Sequence, residues 1–387
     1  MKKLLILTVA ALSAVSVTAQ EEALVAQILK NNPDLEVARL NKEADSLSAR
    51  SENNLADPEV EVEYMPKAGT MEMTVKESFE WPGAYMTRRK AIEHNISAFE
   101  YLYESQKIEA VKQARLAYLD LVRLNRSIKR QGKILAMIEK IVNNTALLEV
   151  RDEMTVITIG KLRIEAFDLA SQIRQMKIER NVVLESLRIM NGGKPVEIDT
   201  ETCEFNAELK DRAHYADAYA QSPDNQAVMQ KNLAMQKNLS VAKQGYLPGF
   251  SLGYKFVKED EPLHGFMVGV SIPLFSNRHK VKAAKAYRMA AELEYETTKL
   301  QLGLQVESLY GEVESLGQAI KEFEGIVNDT NVRNSLEKSY AERSISLIDY
   351  LAEYRFFLEA EARLDEMKYQ YSQKFIELSK YDSFLAE

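Results

Sequence analysis

Three carboxylates stand at every second position in Glu59-Val60-Glu61-Val62-Glu63, and in an extended chain alternate residues share a face. Glu72 and Lys76 alternate in the same way with Met71, Met73 and Val75. Such a charged row either attracts cations or forms the wet side of a water-filled space. Met65, Met71, Met73 and Met86 offer soft thioether ligands nearby. However, the glutamates alternate with two of them, so these methionines are expected in lipid or in packing. Cys203 is the only cysteine, which excludes an intramolecular disulfide and a cysteine-rich zinc site. It lies with His214 in a stretch without ligand spacing, and the four histidines are scattered. Acids are plentiful, but no loop-rich platform exists on which a pair of them would hydrolyse a glycosidic bond. No metal, cofactor or catalytic residue is expected, and the chain is not read as an enzyme.

A formal charge of −8 argues against a nucleic-acid partner, which needs a basic face. With 46% hydrophobic and 28% charged residues, the chain is too polar for a polytopic helical membrane protein and too apolar for a disordered one. A β-barrel remains open, because its signal per strand is weak. Nine prolines and 15 glycines are few for 387 residues and point to long helices. Residues 1–19 read as a secretory signal, with Lys2 and Lys3 before the apolar run Leu4–Val15 and a small-residue cleavage site at Val17-Thr18-Ala19. No later run reaches the 18 or more apolar residues of a membrane helix.

The prolines expose a duplication. Asn32-Pro33-Asp34 returns as Ser222-Pro223-Asp224, Pro58 returns as Pro248, and Pro82 returns as Pro273. Met154–Thr158 lines up with Ile345–Asp349 at the same offset. A period this long means a duplicated domain rather than a solenoid. The expected division is a signal peptide 1–19, a first repeat 20–195, an equatorial connector 196–222 and a second repeat 223–387.

Each repeat opens with a helix, 34–56 or 224–246. A β-hairpin follows, 58–81 or 248–273, whose strict alternation over about ten residues suits a tilted membrane strand. A long helical hairpin then takes the rest, 84–190 or 278–381. Ala110, Ala114, Ala117, Leu121, Leu124 and Ile128 step 4-3-4-3-4, and Val306 to Val327 continue the same rhythm, which is a coiled-coil seam. At ~1.5 Å per residue the first long helix would reach ~100 Å, and its returning partner only ~54 Å, so a short helix is expected to complete the return. The expected fold is mainly α with a small β part: long antiparallel coiled-coil hairpins and four membrane strands per chain. Four strands cannot close a barrel alone, and open edges are not tolerated in lipid. The barrel must therefore be shared, and three chains give 12 strands. Glu59, Glu61, Glu63, Glu72 and Lys76 would line its lumen. Trp81 is expected at an interface belt.

The sequence resembles the outer-membrane efflux channel family, the TolC-like channel-tunnels, over essentially all of the chain after residue 19. The resemblance rests on the duplicated Asn-Pro and Ser-Pro helix starts, on Ser78-Phe79-Glu80-Trp81-Pro82-Gly83, on Ser271-Ile272-Pro273-Leu274-Phe275, and on Tyr340–Leu351. It implies a homotrimer in the outer membrane of a Gram-negative bacterium, with a 12-stranded β-barrel and a 12-helix α-barrel crossing the periplasm. It implies a passive exit duct of a tripartite system, with a periplasmic adaptor and an inner-membrane efflux transporter of RND type as partners. The adaptor-docking tips would be Asp152, Glu153, Met154 and Thr155, with Arg343, Ser344, Ile345 and Ser346. Asp349, Glu353 and Thr158 would form the periplasmic aperture. Where the family has glycine before the tip motif, this chain has Asp152 and Arg343; where its best-known members have a second aspartate, it has Ala352 beside Glu353. Asp349 also reads as a carboxylate placed to suit a helix dipole. A soluble periplasmic coiled-coil scaffold is the alternative function.

Overall fold

The computed structural model describes residues 20–67, 69–147, 153–196, 198, 209–259, 261–342, 344–345 and 347–382. The signal segment, Asp152, Cys203, Arg343 and Ser346 lie outside these residues. The elements run α1 (20–31), α2 (Pro33–Ser51), β1 (Glu59–Met65), β2 (Thr70–Phe79), α3 (Pro82–Leu147), α4 (Glu153–Met190), α5 (Arg212–Ala220), α6 (Pro223–Gln244), β3 (Gly249–Lys258), β4 (Leu263–Ser271), α7 (Lys280–Val327), α8 (Thr330–Ala341) and α9 (Leu347–Leu378). The chain is mainly helical with a small antiparallel sheet. It divides into a sheet unit, Val37–Gln106 with Tyr219–Leu304, and a helical unit formed by the other described residues.

In the sheet unit the strands lie in the order β1-β2-β3-β4, all antiparallel. β2 pairs with β3 from Met71↔Lys258 to Phe79↔Phe250, which leaves β1 and β4 as the edges. Ser222 caps α6 by accepting the Asn225 amide, with Pro223 at the first helical position, where a missing N–H costs nothing. Gln244 on α6 donates to Thr87 on α3 at 3.0 Å, Ser105 on α3 donates to Asp224 at 2.5 Å, and Lys231 on α6 pairs with Glu294 on α7.

In the helical unit, Asn32 accepts from the Asp34 amide at 2.9 Å and opens α2 as Ser222 opens α6. Leu24 and Ile28 of α1 pack on Ala114, Tyr118, Leu121 and Val122 of α3, with Leu187 and Ile198. α4 ends at Met190, just before Gly192, whose φ of 64° and missing side chain both matter, because a Cβ would lie 2.6 Å from the Asn31 carbonyl oxygen. The seam residues Ala114, Leu121, Leu124, Val306, Leu309 and Val313 are buried.

Four features differ from the sequence expectation. α1 and α5 were not anticipated, and α5 lies within the expected connector. α2 stops at Ser51 rather than near 56, before Asn53 and Asn54, which favour turns over helix. The second long helix is not continuous. It stops at Val327 and restarts at Thr330, because the Asp329 carboxylate accepts the Asn331 amide at 3.0 Å and caps a new helix. The first repeat's Ile141-Val142-Asn143-Asn144-Thr145 resembles Ile326-Val327-Asn328-Asp329-Thr330, yet its backbone stays helical inside α3.

Candidate functional site

The register sorts the sheet into two faces. Val60, Val62 and Tyr64 of β1 lie opposite Val75, Met73 and Met71 of β2. The row continues through Tyr254 and Phe256 to Phe266 and through Leu252 to Val268. This face is apolar, and in the single chain it is open: Phe266 is 90% exposed and Val268 77%. Glu77 is the one acid in the row, opposite Leu252. Trp81 follows β2, with its ring 5.9 Å from that of Phe250.

The opposite face carries all five residues expected in a lumen. Glu59, Glu61 and Glu63 lie across from Lys76, Thr74 and Glu72. Lys255 joins them and pairs with Glu72 at 2.5 Å. It was not singled out from the sequence, although its place between Tyr254 and Phe256, in step with Gly253 and Ser251, pointed to this face. Met65 lies here as well, opposite Thr70, whereas Met71 and Met73 lie on the apolar face, opposite Tyr64 and Val62. At Gly253 a Cβ would sit 2.9 Å from the Val75 carbonyl oxygen, so β2 closes over this face where only glycine leaves room.

The tip residues are only partly described. Glu153, Met154 and Thr155 form the start of α4. Ser344 donates both its amide and its hydroxyl to the Ser339 carbonyl, at 3.0 and 2.8 Å, and Ile345 is half-buried. Asp349 stands in the first turn of α9, where the positive end of the helix dipole favours it. Glu353 is one turn further on, and both are exposed. Thr158 stands on α4. It lines a groove of about 360 Å3 with Ile134, Met137, Leu162, Ala352 and Tyr354. Arg355, at the edge of that groove, pairs with Glu165 of α4 at 2.7 Å and with Glu359 at 2.9 Å. Tyr340, Tyr350 and Tyr354 stack, with ring centroids 4.5 and 5.8 Å apart. Neither the Arg355 pair nor the tyrosine stack was anticipated, since nothing local in the sequence marks contacts between α4, α8 and α9.

Charge ties the helices of this unit. The Asp365 carboxylate on α9 takes Arg126 of α3 at 2.9 Å and also Arg130. Tyr369 donates its hydroxyl to Asp120; burial first, and then that carboxylate, push the phenol up to about 12. His214 lies 3.2 Å from Asp382, which also pairs with Lys210. Lys112 of α3 and Lys380 both hold Glu377 of α9, at 3.0 and 2.7 Å. Burial alone would raise the Glu377 carboxyl, but the two ammonium groups outweigh it and hold it below its ordinary value. Burial likewise works against the Lys112 ammonium, yet its glutamate partners raise it. A depressed carboxyl adds stability above its unfolded value and loses it as the pH falls through the folded one. Glu377→Gln should therefore lower stability near neutrality by about 1–2 kcal/mol. The gap between variant and parent should close on acidification, as read by thermal unfolding in mild detergent at several pH values. A constant gap would remove the ion triad as its cause.

Among the described residues no group of histidine, cysteine or carboxylate side chains could hold a metal ion, and no helix is long and apolar enough to cross a membrane.

Comparison with known proteins supplies the remaining observations. Residues 214–382 match the outer membrane efflux protein family. No protein of curated function matches the chain. Several solved structures share its fold. CusC, studied for folding and transmembrane channel formation, superposes with a TM-score of 0.76 at 16% identity, covering 94% of this chain and 92% of that one. The MtrE outer membrane channel of Neisseria gonorrhoeae, in its open state, gives 0.77 at 13% identity, with 94% and 88% covered. The outer membrane protein VceC of Vibrio cholerae gives 0.74 at 15% identity, with 94% and 96% covered. The resemblance to outer-membrane efflux channels read from the sequence is matched by the family hit over residues 214–382, and 94% of the chain shares the fold of these solved structures.

Proposed function

We propose that this chain, whose residues 214–382 match the outer membrane efflux protein family, is the channel-tunnel of a tripartite efflux system. It works as a homotrimer in the outer membrane of a Gram-negative bacterium. Three four-stranded sheets close a 12-stranded barrel, and the helices of repeats 20–195 and 223–387 form a 12-helix tunnel into the periplasm. The duct is passive and does no chemistry. Substrates reach it from an inner-membrane transporter of RND type through a periplasmic adaptor, which docks at the tips around 152–155 and 343–346. Asp349, Glu353 and Thr158 contribute the aperture.

One observation carries this reading: a sheet with an open apolar face, a charged opposite face and two unpaired edges. Lipid suits the first, and a water-filled lumen suits the second. Unpaired N–H and C=O groups are not tolerated in lipid, so the two free edges favour closure by pairing β1 with β4 of another copy. The crowding at Gly253 favours the charged face as the inner wall of a curved sheet. A soluble scaffold would leave Phe266 and Val268 in water.

The test is reconstitution of the purified chain in a planar bilayer. A particle of three chains by light scattering, with discrete conductance steps, is expected. Asp349→Ala should change conductance and cation block without altering trimer stability. A stable, monodisperse monomer would overturn the channel. Unchanged conductance in the Asp349 variant would remove that residue from the aperture only.

A further inference from the structure

Between Glu261 and Glu292 the chain has no acidic residue, although its overall charge is negative. Within that stretch Arg278, His279, Lys280, Lys282 and Lys285 crowd the start of α7, and all five are exposed. Among the described residues no ion pair engages them, whereas Arg288 further along pairs with Glu292 at 2.8 Å. The start of α3 repeats the theme with Arg88, Arg89 and Lys90; there Arg88 is held by Glu80 and Arg89 by Glu93. Cations at a helix N-terminus oppose the helix dipole, so helix stability does not explain the cluster.

The cluster follows the apolar strand β4 closely in sequence. On β4 the apolar face runs through Phe266, Val268 and Val270, and Ile272, Leu274 and Phe275 follow in sequence, 71%, 75% and 84% exposed. Three residues later comes Arg278. The turn between is pinned. Asn277 is buried, donates its side-chain amide to the Gly245 carbonyl, and accepts the Tyr246 hydroxyl on its own carbonyl at 3.0 Å. His279 then enters α7 with φ of 69°. The chain thus sets exposed aliphatic and aromatic side chains within a few residues of unpaired cations.

We propose that the first turns of α7 form a belt that binds the phosphates of anionic phospholipids in the leaflet where the apolar sheet face ends. The inference rests on the barrel reading above. Apolar side chains flanked by Lys and Arg match a membrane interface, acyl chains on one side and anionic headgroups on the other. A soluble anion would use the cations and leave Leu274 and Phe275 unexplained.

The full chain, purified as the trimer in mild detergent, is titrated with phosphatidylglycerol or phosphatidylcholine, and retained lipid is counted by native mass spectrometry. The parent should retain phosphatidylglycerol in preference, and sodium phosphate should not displace it. R278Q/K282Q/K285Q should weaken retention about a hundredfold, roughly fivefold per cation, while R278K/K282R/K285R should behave as the parent. Equal retention of the two lipids, equal retention by the glutamine variant, or displacement by phosphate would each overturn the proposal. Flotation with vesicles separates it from the reading beneath it. A parent that floats without lipid preference sinks the belt alone, and a parent that does not float sinks both.

Discussion

Arginine at Val268 is expected to keep the chain out of the membrane. Val268 stands on the apolar face of an edge strand, 77% exposed in the single chain and opposite Leu252. A charged side chain on the lipid face of a barrel costs about 2–4 kcal/mol near the bilayer midplane, and the proposed homotrimer would bear it in every protomer. The fraction of the chain that resists carbonate extraction from membranes should collapse. Glu61→Arg is the control, because Glu61 lies on the opposite face, across from Thr74, and should still insert. If both variants inserted equally well, the sheet would not be in a bilayer.

Asp365→Asn is expected to loosen the helical unit by about 2–3 kcal/mol, less than a fully buried pair loses when one partner is removed, since the carboxylate keeps 26% of its side-chain exposure. The wild-type carboxylate bridges Arg126 and Arg130. Burial and the neighbouring Arg126 already lower the proton affinity of the Arg130 guanidinium, and a neutral amide would leave two like charges facing each other. Denaturant unfolding in mild detergent reads the loss. Adding Arg126→Met should recover part of it, because the repulsion then goes. No recovery would mean that Asp365 acts by packing rather than by charge.

The strands were legible because their signal is local. Period-2 alternation assigned Val60, Val62, Met71 and Met73 to one face and the glutamates to the other before any contact was known. Its failures are informative. Glu77 lies in the apolar row, and no alternation rule would place a carboxylate there. The helices were legible in number and span wherever the heptad rhythm ran, and less so at their ends. Asn328-Asp329 breaks the second long helix while the similar Asn143-Asn144 remains within the first, so the decision lies partly in tertiary surroundings and partly in the charge of one cap. The ties between Arg126 and Asp365, and between Lys112 and Glu377, join positions far apart in sequence with no pattern between them. The residues expected at the aperture come from two helices. Asp349 and Glu353 share a helix and could be grouped by spacing. Thr158 belongs to another helix, and the groove it lines became visible only with α3, α4 and α9 in place.

The cap at Asp329 gives the two repeats different mechanics. α3 is an unbroken helix from Pro82 to Leu147, an elastic rod that spreads any bending over its whole length. In the second repeat the i→i−4 ladder is interrupted between Val327 and Thr330, so bending stiffness drops at one point and the two flanking segments can turn about it as levers. A load applied at the α8–α9 end would therefore be taken up as rotation at a joint, while the same load on the first repeat would be carried along as strain. The chain thus has one stiff strut and one articulated strut, and the joint is marked by a single carboxylate accepting a single backbone amide.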